Sequence, residues 1–240
     1  MKTINKHLRP LLTDRAGDPI SLVHCEILLA LASVHTSLFS EINFLYDLMC
    51  NPEHINILRE EVAEVARMPE GWGKHSYALL HKMDSCLRES QRFNPPTIIG
   101  LRRIMKQDVV LSTGMLLPKG AYVAAGTWSI QQQATEDPLK YDGLRAYRSR
   151  QGKMESSKGL FTSTEKTVLA WGMGKSACPG RWFASLALKT IFSKLLLEYE
   201  FKFPEGQKGR PQNHMAHEIL FPDPDQKIFV RRRKDAWAPY

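Results

Sequence analysis

The chain has 240 residues, of which 43% are hydrophobic and 24% are charged, and its formal net charge is +8. This composition is typical of a globular protein with one large domain or two small ones, and it excludes a disordered chain. The moderate positive charge favours a solvated surface with a local basic patch over a nucleic-acid-binding protein.

The cysteines and the N-terminal region point to a reducing environment. Cys25, Cys50, Cys86 and Cys178 lie far apart and form no C-x-x-C pair, which argues against a zinc site and against a dense disulfide framework. The N-terminal residues lack the uninterrupted apolar core of a signal peptide. The uncharged window 27–40 is too short to span a bilayer, so we expect no transmembrane segment and a chain that is soluble as it stands.

Proline residues divide the first part of the chain into predicted helices. A long helix is expected to begin at Asp18-Pro19 and to end near Cys50, before Asn51-Pro52. An amphipathic helix follows over 53–67. A third helix is predicted from about 76 to 93, where Asn94-Pro95-Pro96 stops it.

The second part of the chain predicts strands, a loop region and one more helix. Residues 97–123 indicate short strands, and residues 131–166 are polar and irregular. A helix is expected from Pro179 to about Tyr199, and the tail from 218 to 234 predicts a closing hairpin. The stripe expected to face the core in that helix consists of Phe183, Ala187, Ile191 and Leu195.

The order of these elements decides the predicted fold class. Helices come first and strands later, without regular alternation, so the fold is expected to be mainly α (α+β) with small β-sheets.

The stretch from Val168 to Lys189 permits two kinds of site. Gly174-Lys175-Ser176 suggests a phosphate loop, but such a loop requires a glycine where this chain has Leu169. Cys178-Pro179, in contrast, places a thiol at a helix N-terminus, where the dipole and the free N–H groups stabilise a negative sulfur. A buried, inert cysteine is the simpler alternative.

The same stretch resembles the haem loop of the cytochrome P450 family. Trp171, Gly174, Cys178 and Gly180 fall at the spacing F-x-x-G-x-x-x-C-x-G, with Trp in place of Phe. The resemblance implies heme b with its iron bound by Cys178, an indole of Trp171 that covers the sulfur, and glycines that let the backbone pass close to a flat ligand. Ser176 stands where the family often has Arg or His, and Lys175 is a substitute for that cation.

Two further motifs resemble the same family. Glu89 and Arg92 match E-x-x-R, and the resemblance implies that Arg145 from a later loop joins them in a structural cluster. Arg103 matches the position that contacts a haem propionate. Without the resemblance, an exposed ion pair and a solvated strand-edge arginine would be the simpler interpretations.

The resemblance also implies distal and substrate-facing residues. Ala32 and Thr36 match the helix that crosses the distal face of the haem, where Thr36 would help deliver protons to bound oxygen. The alternative for Thr36 is a hydroxyl bonded to its own helix backbone. An apolar, terpenoid-like substrate would face Pro96 to Ile99, together with Ile219 and Leu220.

The resemblance extends over nearly all 240 residues, as a single partial domain that corresponds to the C-terminal half of the family's fold, without the N-terminal half and its membrane anchor. It implies a fungal secondary-metabolism monooxygenase that uses O2 and electrons from NADPH-cytochrome P450 reductase at the cytosolic face of the endoplasmic reticulum. Lys175, Arg181 and Lys189 are expected to attract an acidic reductase, although a solvated helix face explains them equally well. No nucleic-acid partner is expected.

Several alternatives stay open at this stage. The chain could be an inactive, truncated member of the family, or a thiol redox protein that uses Cys178 without haem. A basic binding module built on Arg231 to Lys234 is a third alternative. His214 and His217 form a loop pair without a third ligand, so a metal site there is disfavoured.

Overall fold

The computed structural model describes residues 18–70, 72–152 and 157–237, and it divides into the units Met1–Leu38 and Phe39–Tyr240. The interpretation of the N-terminus as lacking a signal peptide falls on residues 1–17, outside the described residues. Residues 153–156, within the stretch predicted to be irregular, also lie outside them.

The long first helix, α1, spans Pro19–Cys50, which confirms its predicted bounds. The Asp18 carboxylate accepts hydrogen bonds from the backbone N–H groups of Ile20 (3.2 Å) and Ser21 (3.1 Å), and Pro19 occupies a first-turn position that needs no N–H. By length and composition alone, α1 could cross a membrane, a criterion that core helices of soluble proteins also meet. This criterion does not decide the expectation of no transmembrane segment, which stays a prediction; α1 continues on both sides of the uncharged window 27–40.

The other helices of the described residues are shorter, and two were not predicted. The predicted third helix is interrupted at Leu80, whose ψ of 71° is not helical. Two short helices lie in or next to the stretch 131–166, where the sequence predicted irregular structure. Helices of one or two turns carry too little periodicity to be recognised, and they are held by tertiary contacts. In chain order the helices after α1 are α2 (Pro52–Ala66), α3 (Ser76–Leu79), α4 (His81–Phe93), α5 (Thr127–Gln133), α6 (Arg145–Arg150) and α7 (Arg181–Glu198).

The strands form two-stranded antiparallel ribbons. The short strands predicted over 97–123 are present, but the tail does not form the predicted hairpin. Its strand β7 pairs with β6, and β8 pairs with β5, directly after α7. Local patterning cannot show which distant strand supplies the hydrogen bonds. The strands are β1 (Gly100–Ile104) with β4 (Tyr122–Ala125), β2 (Val109–Val110) with β3 (Leu116–Leu117), β5 (Tyr199–Lys202) with β8 (Phe229–Arg232), and β6 (Asn213–Ala216) with β7 (Ile219–Pro222).

The core of the second unit is a helical cluster. The rings of Phe44 on α1 and Phe192 on α7 meet edge-on with centroids 4.5 Å apart, and both are fully buried. Burial of each such side chain contributes about 1.5–3 kcal/mol. The cluster comprises Phe44, Leu48, Leu58, Val62, Val65, Leu80, Met83, Cys86, Leu87, Phe161, Leu188, Phe192, Leu196 and Leu197.

The face of α7 that packs on this core differs from the predicted one. Leu188, Phe192 and Leu196 are buried, whereas Phe183 is 68% exposed and Ile191 is 38% exposed. The helix has apolar residues on both faces, so two stripes share the same spacing of four residues. The sequence pattern alone does not choose between them.

A buried carboxylate, Glu61, joins α2 to the start of α4. Its two oxygens accept the backbone N–H groups of Lys82 (2.6 Å) and Met83 (2.9 Å), which have no partner within their own helix. Burial raises the pKa of Glu61 to about 7, against the lowering effect of these hydrogen bonds. Glu61 therefore changes charge near neutral pH.

We expect Glu61 to make the protein less stable as the pH rises from 4.5 to 7. The pKa of Glu61 in the folded state lies above its value in the unfolded state, so the folded state binds the proton more tightly. The protonated carboxyl therefore raises the free energy of unfolding at low pH, and this contribution is lost as the pH rises towards 7. The change is about 3 kcal/mol. Glu61→Gln cannot titrate, so urea unfolding at a series of pH values should show a flatter profile for this variant. The exposed Glu64→Gln on the same helix is the control, and equal slopes for all three proteins would contradict the expectation.

Candidate functional site

The Cys178 thiol is free and half-buried at the turn before α7. Its backbone N–H donates to the carbonyl of Trp171 (2.7 Å), and its own carbonyl accepts from the Arg181 guanidinium (2.7 Å). The helix begins at Arg181, so Pro179 and Gly180 form the turn that leads into it, two residues after the predicted start. Both backbone polar groups of Cys178 are thus fixed by neighbouring residues.

Glycines give the loop its shape. Gly172 has φ of +75° and Gly174 has φ of +63°, a backbone region that side chains disfavour. A Cβ at Gly172 would lie 3.3 Å from the Ser176 carbonyl oxygen, and one at Gly180 would lie 3.9 Å from the Cys178 sulfur. Gly174 and Gly180 were predicted from the motif, whereas Gly172 was missed, although it is the glycine most closely packed within the loop.

The indole of Trp171 faces the core. Its Nε1–H donates to the carbonyl of Phe161 (2.6 Å), and the two rings meet edge-on with centroids 5.2 Å apart. The preceding residues Leu169 and Ala170 both donate their N–H groups to the buried side-chain oxygen of Gln131, at 2.9 and 3.0 Å. Gln131 was also missed, because it lies on one of the short helices that the sequence did not predict.

Glu89, Arg92 and Arg145 come together as the motif suggested. The Arg92 guanidinium donates to both oxygens of Glu89, at 3.0 and 2.8 Å, and Arg145 Nε lies 3.5 Å from Glu89 Oε1. Glu89 and Arg92 are both buried, so this is not the exposed ion pair of the simpler interpretation. Arg92 also donates to the carbonyl of Pro138 (2.9 Å), and Glu89 accepts the N–H of Asp142 (3.1 Å). The cluster therefore fixes the loop before α6.

Arg103 is exposed on β1 and lines a cleft with the cysteine loop. This cleft has a volume of about 490 Å³. Arg103 Nη1 donates to the carbonyl of Arg102 (2.7 Å), which leaves its other guanidinium donors for a ligand. The cleft is lined by Thr97, Ile99, Gly100, Leu101, Arg102, Arg103, Gly172, Ser176, Glu218 and Ile219.

The residues predicted to face substrate are brought together by backbone pairing. Leu220 N–H donates to the carbonyl of Pro96 (3.1 Å), and Ile98 N–H donates to the carbonyl of Glu218 (2.9 Å). Ile99 is 39% exposed and lines the cleft. The segment after α4 and the β6–β7 hairpin therefore form one wall.

A buried acid that sequence analysis missed supports this wall. Asp47 accepts hydrogen bonds from the Ser90 hydroxyl (2.5 Å) and from Arg210 Nε (2.5 Å), and Asn94 Nδ2 lies 3.3 Å away. Asn94, which precedes the wall, accepts from the Asn213 amide at the start of β6 (2.8 Å). Burial raises the pKa of Asp47, and the Arg210 charge opposes that rise.

Ala32 and Thr36 lie in the first unit. The Thr36 hydroxyl donates to the carbonyl of Ala32 (2.5 Å), which is the local helix bond considered as the alternative from the sequence. A hydroxyl is both donor and acceptor, so this bond is compatible with a proton-transfer role.

The expected basic patch is wrong for Lys189. Its ammonium is buried and lies 2.7 Å from Asp84 Oδ1, and it donates to the carbonyl of Tyr77 (3.2 Å). Lys175 is exposed, and the Arg181 guanidinium stacks 3.4 Å from the centroid of the Trp182 ring. A lysine on α7 that belongs to the core cannot attract a partner.

The residues around the cleft fit a haem group in their chemistry. A thiol on a fixed turn offers a soft metal ligand, an arginine with unused donors suits a carboxylate, and an apolar wall suits a flat organic ligand. Among residues 18–70, 72–152 and 157–237, no three His, Cys, Asp or Glu side chains could together hold a metal ion.

Comparisons with known proteins identify the family to which the sequence is similar. The family model for cytochrome P450 matches residues 18–230. Cytochrome P450 monooxygenase AN1598 of Emericella nidulans is 42% identical over 222 residues, which are 92% of this chain and 41% of that protein. Ent-kaurene oxidase of Gibberella intermedia is 39% identical over 86% of this chain and 40% of its own length. Cytochrome P450 monooxygenase AtmP of Aspergillus flavus is 39% identical over 92% of this chain and 42% of its own length.

The chain thus spans about two fifths of the length of the curated relatives that it matches. The family model nevertheless matches most of its residues, including those of the cysteine loop and of the Glu89 cluster. The chain belongs to the cytochrome P450 family.

Proposed function

We propose that the chain is the part of a haem monooxygenase that carries the cysteine ligand of the haem. The enzyme would oxidise an apolar, terpenoid-like small molecule with O2 and with electrons from NADPH-cytochrome P450 reductase. The observation that carries the proposal is the Cys178 turn, in which both backbone polar groups are fixed, within a loop whose Gly172 and Ser176 line a cleft together with Arg103. The relatives named monooxygenases and ent-kaurene oxidase support the reaction and the substrate class. A single partial domain at the cytosolic face of the endoplasmic reticulum is part of the proposal.

In this proposal the Cys178 sulfur would be the ligand that the protein gives to the iron of heme b. The haem, when bound, supplies oxygen activation, for which thiolate ligation favours cleavage of the O–O bond. Hydrogen bonds to both backbone polar groups of Cys178 fix the turn that carries the sulfur. Gly172 lets the loop turn tightly, and Gly174 and Gly180 let the backbone approach a planar group.

The other proposed roles follow from position and chemistry. Arg103 would bind a propionate through a charge-assisted hydrogen bond. Pro96, Ile99 and Leu220 would hold an apolar substrate away from water. Thr36 would relay protons through its hydroxyl on the distal side, accepting one proton as it gives up another, with Ala32 leaving room beside it.

The first prediction concerns the sulfur ligand. The chain, supplied with haem, reduced and exposed to CO, should give the difference band of thiolate ligation. Cys178→Ser should lose this band completely, because a serine hydroxyl is not a soft anionic ligand at neutral pH. Cys50→Ser, which changes an exposed thiol on α1, should retain it.

Two outcomes of that experiment would count against the proposal. No thiolate band in the unsubstituted chain would favour an inactive fragment over a haem enzyme. The same band in Cys178→Ser would refute the ligand assignment.

The second prediction concerns Arg103. Arg103→Ala should weaken haem binding about tenfold to a hundredfold, since a hydrogen bond to a charged group contributes about 1.5–3 kcal/mol. The matched variant is Arg231→Ala, which removes an exposed guanidinium from a strand that does not line this cleft. Arg231 pairs with Glu200 across an exposed contact, so little change is expected there. Titration of the chain with haem measures both, and equal affinities would remove Arg103 from the site.

A further inference from the structure

The indole N–H of Trp171 makes a hydrogen bond that the aromatic residue of the family pattern cannot make. The pattern has Phe at this position, and a phenyl ring has no donor. In this chain Nε1 donates to the carbonyl of Phe161 at 2.6 Å, in addition to the edge-on ring contact. Trp171, whose carbonyl accepts the Cys178 N–H, is therefore held to Phe161 by a hydrogen bond as well as by the ring contact.

Phe161 is itself fixed by a buried ion pair. Its backbone N–H donates to Asp84 Oδ2 at 2.7 Å, and the other oxygen of Asp84 lies 2.7 Å from the Lys189 ammonium. Asp84, Phe161 and Lys189 are all buried. Buried charge-assisted contacts have little freedom to move, because a displaced partner would leave a charge unpaired in the core.

These contacts form a closed ring through the cysteine loop. Cys178 is joined by its N–H to Trp171, whose indole is joined to Phe161, whose N–H is joined to Asp84. Asp84 is joined to Lys189, which lies on α7, the helix that Cys178 leads into. The loop and the helix on either side of the sulfur are therefore connected to the same buried carboxylate.

We propose that Trp171 is a positioning residue for Cys178: its indole N–H, anchored on the Asp84-bound Phe161 backbone, fixes the carbonyl that holds the Cys178 N–H. The role acts on the backbone of Cys178 and needs no direct contact with the sulfur. The inference rests on the loop of the proposed function, but its hydrogen bonds join protein groups only. Its test can therefore fail while the haem assignment stands, and the reverse is also true.

Trp72 provides the matched comparison. It packs against the same core, its ring meets Tyr77 edge-on at 5.3 Å, and its indole N–H donates to the Tyr77 hydroxyl at 3.3 Å. Trp72→Phe thus removes the same atoms from a setting in which the indole bonds a side-chain hydroxyl, while the Tyr77 carbonyl stays available to Lys189. An effect of lost ring area alone would appear in both variants.

The test is amide hydrogen exchange at Cys178 in the full chain without haem, followed by heteronuclear NMR. Trp171→Phe should speed exchange at Cys178 about tenfold, which corresponds to about 1.4 kcal/mol, the scale of one hydrogen bond. Trp72→Phe should change Cys178 exchange no more than it changes the exchange of the core helices. Alkylation of the Cys178 thiol, followed by peptide mass spectrometry, should accelerate in Trp171→Phe alone.

A measurement on the unsubstituted chain keeps the proposal testable if Trp171→Phe does not fold. The Trp171 indole N–H and the Cys178 amide should then share one free energy of opening, while the indole of Trp182, which is 59% exposed, exchanges freely. An indole of Trp171 that exchanges as fast as that of Trp182 would overturn the proposal. Unchanged Cys178 exchange in a folded Trp171→Phe would overturn it as well.

Discussion

The position of the loop before α6 depends on the hydrogen bonds of one buried carboxylate, that of Glu89. A carboxylate in the protein interior loses several kcal/mol of hydration, and it is tolerated only where its oxygens are fully bonded. The two oxygens of Glu89 accept hydrogen bonds from the Arg92 guanidinium and from the backbone N–H of Asp142, and Arg145 forms an ion pair with one of them. Because Arg92 also binds loop carbonyls, loss of the acid would release two cations and a segment of chain together.

The helix α4 buries charged residues in addition to its core residues Met83, Cys86 and Leu87. Asp84, Glu89 and Arg92 are all buried, and each contacts a different part of the chain: Asp84 contacts α7 and Phe161, while Glu89 and Arg92 contact the loop before α6. Charged residues on one face of a helix are ordinarily expected to be exposed to solvent, whereas these three are buried. The polarity of α4 therefore connects elements by directional contacts that an apolar face would not provide.

The limits of prediction from the sequence follow from the range of the interactions involved. The bounds of α1 were predictable because Asp18, Pro19 and Pro52 act on the backbone beside them. The buried face of α7 was not, because Phe183 and Phe192 are equally apolar and only the packed partners distinguish them. The partner of β8 was not predictable either, since β5 lies about thirty residues away and contributes no local signal.

In the candidate site, the same distinction separates residues found by motif from residues found by structure. Cys178, Gly174 and Gly180 are close in sequence, so their spacing was sufficient to reveal the resemblance to the family's loop. Gln131, Asp84 and Phe161 shape the same loop from distant parts of the chain, through hydrogen bonds to backbone groups. Backbone acceptors and donors carry no residue identity, so no sequence pattern could reveal their partners.

This use of the backbone also explains how the loop tolerates departures from the family pattern. The Cys178 N–H binds a carbonyl, and a carbonyl at position 171 is present whatever the side chain. What varies with the side chain is how firmly that carbonyl is held, and here Trp replaces Phe and gains a donor. Ser176 in place of Arg or His removes a cation from the loop, but it leaves these backbone bonds unchanged. We therefore propose that the position of the Cys178 backbone and the binding of the cofactor's carboxylates are separable properties of this site, the first depending on Trp171 and Asp84 and the second on Arg103 of β1.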